Sequence, residues 1–339
     1  MPDLRMANRF GRRRFLAVGA VGTAEKFDGA SAASSIKITR GLYPQDRLLE
    51  QRNGKLKTGI HERRARKQSR VIATGVFQMR NHCAGQAGKE ENLQRMLAAI
   101  DAAAREQVRI LVFPEMCLPG YFTPISDTVE EAIAANRELA DEAAKGRFLR
   151  ALQDAAAKTA MVVAFGFAER SGDHHYDSVG VIDASGEWLG VRRKNPLYPW
   201  EYETRCFAQP PATLRSRVFE TRYAKVGISC CFDGEFPESI RRMRLEGAEV
   251  LLWSNAALGD SVLGTSHRIV LAGAYAATNA MWVACANCAA PNSSGTSVIC
   301  APSSEPAVLL SPNEEAMGVA DVDLSLNKGW PVWRDRLAL

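Results

Sequence analysis

The sequence predicts an α/β protein in which helices cover the sheets. Two observations lead there. From Val71 onward, strand-length apolar segments alternate with segments of helical periodicity. Residues 108–113, in particular, are apolar apart from Arg109, as expected of a strand buried on both faces. The 339 residues, 46% hydrophobic and 24% charged, suffice for a large core.

The first 70 residues stand apart from this pattern. They carry 17 Lys and Arg against 6 Asp and Glu, so a basic leader precedes a mildly acidic body. Arg12-Arg13-Arg14-Phe15-Leu16 opens a short apolar run, and Gly29-Ala30-Ser31-Ala32-Ala33 offers small residues at cleavage spacing. Residues 1–36 thus resemble a twin-arginine signal, which implies export to the periplasm. Residues 37–70 read as a basic, disordered linker. No aromatic residues interleave its basic run at 62–67, so nucleic acid is not an expected partner. No segment reaches the roughly 20 uninterrupted apolar residues of a membrane span.

In the body, 71–78 is strand-like. Leu93, Met96, Leu97, Ile100 and Ala103 share one face of a helix over 89–107. A strand follows at 108–113, then two helices over 128–159 broken near Gly146. Strands are expected at 160–168 and 178–183, with a turn at Ala184-Ser185-Gly186-Glu187 leading into 188–192. Next come a strand at 224–230, a helix at 237–246 with Pro237 at its first position, and a strand at 249–253. A helix at 267–278 precedes late strands at 281–286, 296–300, 307–310 and 318–322.

The eight cysteines sit mostly in apolar, strand-like contexts, where a free thiol behaves as a small hydrophobe. Cys285-Ala286-Asn287-Cys288 is a lone pair, with no second pair at zinc spacing.

Three strand ends carry reactive groups, and ligands of α/β sheets gather at such ends. Glu115 follows the largely apolar strand at 108–113, whose last four residues are all apolar. Arg192-Arg193-Lys194 closes another strand. Cys231 stands where a strand turns into a helix, and a helix N-terminus favours a thiolate. Taken singly, each admits a plainer reading: Glu115 as a capping or surface residue, the basic trio as an exposed strand end, and Cys231 as one apolar-context cysteine among eight. Of the adjacent pair, Cys230 is expected on the opposite, core-facing side. The five histidines show no partnership with the elbow cysteine.

Taken together and in order, the segments resemble the nitrilase or carbon–nitrogen hydrolase superfamily. The matching elements are Phe113-Pro114-Glu115 with Gly120-Tyr121, Arg193-Lys194 with Leu197, and Cys231-x-Asp233 with Phe236-Pro237-Glu238. The resemblance implies a four-layer α-β-β-α sandwich over 71–339 and a homo-oligomer. It implies Glu115 as general base, Lys194 as oxyanion stabiliser and Cys231 as nucleophile, with no cofactor and no metal. Tyr121, Phe232 and a second glutamate are implied as supporting residues. Glu203 fits that glutamate through Glu203-x-x-x-Phe207, and Glu201 is the alternative.

Pro196 and Pro210 replace the histidine and glycine common in the family. Only Arg268 and Asn279 keep its later conserved region. Cys231-Phe232-Asp233 looks more like the amidase and carbamoylase branches than the true nitrilases. The expected reaction is therefore hydrolysis of a linear amide or N-carbamoyl small molecule, with release of ammonia. A catalytically silent binding protein of the same fold is the alternative.

Overall fold

A computed structural model describes residues 36–41, 70–81, 85–120, 128–210, 218–257, 267–290 and 293–329. The expected export signal at 1–36, apart from Ile36, lies outside the described residues, as do Cys83 and Tyr121.

The described strands are β1 Lys37–Gly41, β2 Val71–Gln78, β3 Ile110–Val112, β4 Asp141–Glu142, β5 Val162–Ser171, β6 His174–Ile182 and β7 Trp188–Arg193, followed by β8 Val218–Glu220, β9 Lys225–Cys230, β10 Val250–Ser254, β11 Trp282–Ala286, β12 Val298–Cys300, β13 Pro306–Leu309 and β14 Ala316–Asp323. The α-helices are α1 Gly85–Arg105, α2 Val129–Glu138, α3 Gly146–Thr159, α4 Glu201–Cys206, α5 Pro237–Leu245 and α6 His267–Asn279. Among the described residues, eight strands form one sheet in the order β1-β14-β2-β3-β5-β6-β7, with β4 beside β5. Six form a second sheet in the order β13-β12-β11-β10-β9-β8.

Side-chain alternation explains the layering. Ile110, Val112, Val162, Ala164, Val179 and Val181 of the first sheet pack against Val226, Ile228, Val250, Leu252 and Ala284 of the second. The intervening residues point outward and meet helices. Leu111, Val163 and Phe165 pack beneath α1 and α3 through Met96, Ile100, Leu149 and Leu152. Leu251, Trp253 and Val283 pack beneath α5 and α6 through Ile240, Met243, Ala272 and Tyr275. Both faces of each central strand are therefore buried, which is why those strands read as unbroken apolar runs. The result is the four-layer α-β-β-α sandwich.

The linker expectation for 37–70 fails at Lys37–Gly41. This segment pairs in parallel with β14, Lys37 opposite Ala316 through Gly41 opposite Ala320. Ile36 and Ile38 pack on the α1–α3 side of the sheet, while Lys37 and Arg40 pair with Glu314 and Asp321. The local charge disguised a strand whose partner lies nearly the whole chain away. Strand β3 is shorter than the predicted 108–113, and α4 falls in a stretch for which no element was expected. Among the described residues, no helix is long and apolar enough to cross a membrane.

Two glycines permit close approaches near the sheet ends. A Cβ on Gly166 would lie 2.1 Å from the Met116 nitrogen, and one on Gly234 would lie 2.2 Å from the Trp253 ring. Gly166→Ala therefore drives β5 against the backbone following Glu115. We expect a loss of about 1–3 kcal/mol, typical of overpacking. It should appear as a lower urea midpoint at unchanged slope, and an unchanged midpoint would refute the contact.

Candidate active site

Strands β2, β3 and β5 run parallel in one sheet, as do β9, β10 and β11 in the other. Their carboxyl ends meet at one edge of the sandwich. There the Ser254 hydroxyl donates to the Phe113 carbonyl at 2.8 Å, and the Glu115 N–H donates to the Asn255 carbonyl at 3.3 Å. These bonds join the two sheets directly beside Glu115, whose carboxylate accepts the Ala256 N–H at 2.9 Å.

Lys194 arrives from the β6–β7 hairpin. The register sets Ser178 opposite Arg193, and the Lys194 N–H donates to the Asp177 carbonyl at 2.8 Å. Arg192 and Lys194 lie on the same side as the elbow and are fully buried. Arg193 turns the other way and grips the Glu169 carboxylate with two donors, at 2.6 and 2.8 Å. The Lys194 ammonium is 2.7 Å from Glu115, 2.6 Å from Glu203 and 3.4 Å from Asp177. All four side chains are sealed from water. Glu201 is exposed and pairs instead with Arg205, so of the two candidate glutamates only Glu203 stands beside the lysine. Glu203 also accepts the Tyr198 N–H at 2.8 Å.

Cys231 begins a short 3-10 turn, Cys231–Glu235, directly after β9. Its φ of 43° puts a non-glycine residue in the left-handed region, a strain of order 1–3 kcal/mol that the surroundings must hold. Trp253 Nε1 donates to the Cys231 carbonyl at 3.0 Å. Arg268 places one nitrogen 3.4 Å from that carbonyl and another 3.9 Å from the sulfur. The Glu115 carboxylate stands near enough for its charge to act on the Cys231 thiol. At 8% exposure Cys231 is more accessible than Glu115, Asp177, Lys194 or Glu203.

The turn also alters the expectation for Cys230. It lies in the core between the sheets, yet its sulfur is 3.6 Å from Asp177 and 3.9 Å from Glu115. Strand alternation would separate neighbouring side chains onto opposite faces, but the chain leaves the strand at Cys231. Both sulfurs thus border the same carboxyl cluster.

Asp233 explains the Cys-x-Asp spacing physically. Its carboxylate sits 2.8 Å from Arg192 and accepts the N–H of Asn195 at 2.6 Å and that of Cys230 at 3.3 Å. It therefore ties the elbow to the strand end that carries Lys194. Phe232 stacks edge-on between Tyr198 and Phe236, at centroid distances of 5.0 and 5.4 Å. His267 bonds Glu235 at 2.7 Å, so this histidine meets the elbow turn without touching the thiol.

Burial governs the protonation of these groups. Burial pushes the Glu115 carboxyl up, but the Lys194 charge and its hydrogen bonds outweigh this and hold it below the usual carboxylate range. Burial, then the Glu115 charge, raise the Cys231 thiol despite Lys194 and Arg268. Burial thus acts against the thiolate that a helix end favours. Asp177 is raised well above its usual range by burial and by Glu115. Burial likewise brings Asp233 to about 6 against the pull of Arg192.

Ligand atoms of Glu115, Asp177 and Cys230 lie within 4.8 Å of one another, a spacing that suits a cation. The Lys194 ammonium already contacts both carboxyls, so the lysine fills the cationic role there. Asp177 went unnoticed in the sequence because it stands one residue before the predicted strand. Counting back across the hairpin from Lys194 would have found it.

The sequence profile of carbon–nitrogen hydrolases matches residues 74–332. An N-carbamoylputrescine amidase from Solanum tuberosum is 34% identical over 207 residues, covering 55% of this chain and 68% of the relative. A nitrilase from Pyrococcus abyssi is 30% identical over 241 residues, covering 70% and 85%. Among solved structures, Saccharomyces cerevisiae Nit3, a member of branch 10 of the nitrilase superfamily, superposes with a TM-score of 0.66. It does so at 20% identity, over 80% of this chain and 95% of Nit3.

Asp233→Ala leaves Arg192 buried without its carboxylate. We expect it to cost about 3–5 kcal/mol of stability in chemical unfolding, as for other broken buried pairs. A loss below about 1 kcal/mol, the scale of a surface pair, would show that Asp233 does not tie the elbow to β7.

Proposed function

The chain belongs to the carbon–nitrogen hydrolase family, and from that premise we propose that it hydrolyses linear amides or N-carbamoyl small molecules through a thioester on Cys231. The observation that carries this reading is a buried Glu115 carboxylate with Lys194 held 2.7 Å from it, beside the strained turn that presents the Cys231 thiol.

The chemistry follows from those contacts. An amide is a weak electrophile, so attack needs both a deprotonated sulfur and a stabilised oxyanion. Glu115 takes the thiol proton as sulfur adds to the carbonyl carbon. Lys194 stabilises the oxyanion, together with the Phe232 N–H at the start of the 3-10 turn, where amide protons lack partners within the helix. Each such donor contributes about 2.7–4 kcal/mol to the transition state. Collapse of the tetrahedral adduct breaks the C–N bond, and protonated Glu115 returns its proton to the departing ammonia. The carboxylate then deprotonates water, which attacks the thioester and restores the thiol. Glu203, bound to Lys194 and to the Tyr198 amide, holds the ammonium in place. The N-carbamoyl alternative draws its support from the amidase relative, whose substrate class carries the same carbonyl–nitrogen bond.

The direct test is ammonia release from a panel of linear amides and N-carbamoyl amines. Cys231→Ser should lower turnover on the order of 10³-fold or more, whereas Cys230→Ala, which removes only a neighbouring contact, should weaken it far less. The reverse ranking would exchange the roles of the two cysteines. Wild-type protein with no turnover and no adduct on Cys231 across the panel would favour a silent binding protein.

The pH profile provides a second check. The active base is ionised Glu115, and its folded-state pKa lies below the ordinary 4.5. Activity is therefore retained at neutral pH and lost as pH falls through that lowered value. The acid limb of kcat/KM should lie below 4.5, and a limb above it would contradict the Lys194–Glu115 pairing.

A further inference from the structure

Asp177 is a sealed carboxyl that the reaction above does not use. It faces Glu115 beyond β3, Lys194 at the end of β7, Cys230 at the end of β9, and Tyr202, Glu203 and Cys206 on α4. One ammonium thus serves three buried carboxyls. Ionising all three would leave excess negative charge in a space without water, and like charges so confined do not all ionise.

The hydrogen bonds indicate which acid keeps a proton. Glu115 receives the Lys194 ammonium at 2.7 Å and the Ala256 N–H at 2.9 Å. Glu203 lies 2.6 Å from the ammonium and receives the Tyr198 N–H at 2.8 Å. Asp177 is the most distant of the three from the ammonium, at 3.4 Å, and its Oδ2 accepts no hydrogen bond. Carboxyl oxygens of Asp177 and Glu115 nonetheless lie within 4.8 Å of each other, and both approach the same ammonium. Two carboxylates that close repel each other and contain no donor, so a proton on one of them removes the repulsion and supplies a donor.

We propose that Asp177 carries this resident proton and donates it in a hydrogen bond to Glu115, as a positioning residue that keeps the general base ionised and aimed at the thiol. The role rests on the reading of Glu115 as base. Asp177 exchanges no proton with substrate; its O–H bond persists while Glu115 cycles. Burial and the neighbouring Glu115 charge, which raise its pKa, agree with this assignment.

The test compares Asp177→Asn, which keeps a donor, with Asp177→Leu, which keeps volume but not the donor. Asp177→Asn should hold kcat/KM within about threefold and leave the acid limb in place. Asp177→Leu should lower kcat by about tenfold or more, with KM changing less, and move the acid limb upward as Glu115 loses a stabilising donor. Infrared difference spectra of the full chain at neutral pH should show the carbonyl stretch of a protonated carboxylic acid that disappears in Asp177→Asn. This measurement needs no turnover, so it separates failure of the proposal from failure of the amidase reading. Absence of that band in the wild type overturns the proposal. So does a folded Asp177→Asn variant that loses more than about a hundredfold in activity, because an anion would then be required.

Discussion

A lysine ammonium without access to water is the constraint around which this site is organised. An unpaired buried ion costs several kcal/mol, so Lys194 is tenable only among carboxyl groups. Glu115, Glu203 and Asp177 supply them from three separate elements. That requirement fixes where the end of β3, the β6–β7 hairpin and α4 must meet. A second buried pair, Arg192 with Asp233, then anchors the elbow to the same strand end.

The same dryness shapes the chemistry. Burial works against both charges, but at Glu115 the Lys194 ammonium outweighs it and holds the carboxyl below its usual range, whereas the Cys231 thiol is pushed up. On the proposed reading, Cys231 is therefore activated by proton transfer to Glu115 rather than by a standing negative charge. The left-handed backbone at Cys231 lifts it out of the strand direction and makes it more exposed than Glu115, Asp177, Lys194 or Glu203. Trp253, closely packed on Gly234, clamps that turn from the second sheet.

Much of this was legible in the residues. Unbroken apolar strands and helical faces announced the layers, and 71–78 was read with its observed bounds. Glu115, Lys194 and Cys231 stood out because each ends an apolar strand with a reactive group, and the structure gathers all three. Misread features share a cause. Strand β1 depends on a partner some 280 positions away, a pairing that local charge conceals. Asp177 carries no local mark of function, since its importance comes from facing Lys194 across a hairpin. Glu201 and Glu203 are two positions apart on a short helix, and only packing shows that one is buried beside the ammonium while the other meets Arg205.

By itself, the sequence determined the α/β layering and the three strand ends that bear reactive groups, because burial pattern and chain order are local properties. Only the tertiary structure decided which carboxyls crowd the ammonium, which glutamate supports the lysine, and how strongly burial weighs on the thiol. Those outcomes depend on distances between charges brought together from separate elements, and on the exclusion of water around them. Neither quantity is written in any one segment.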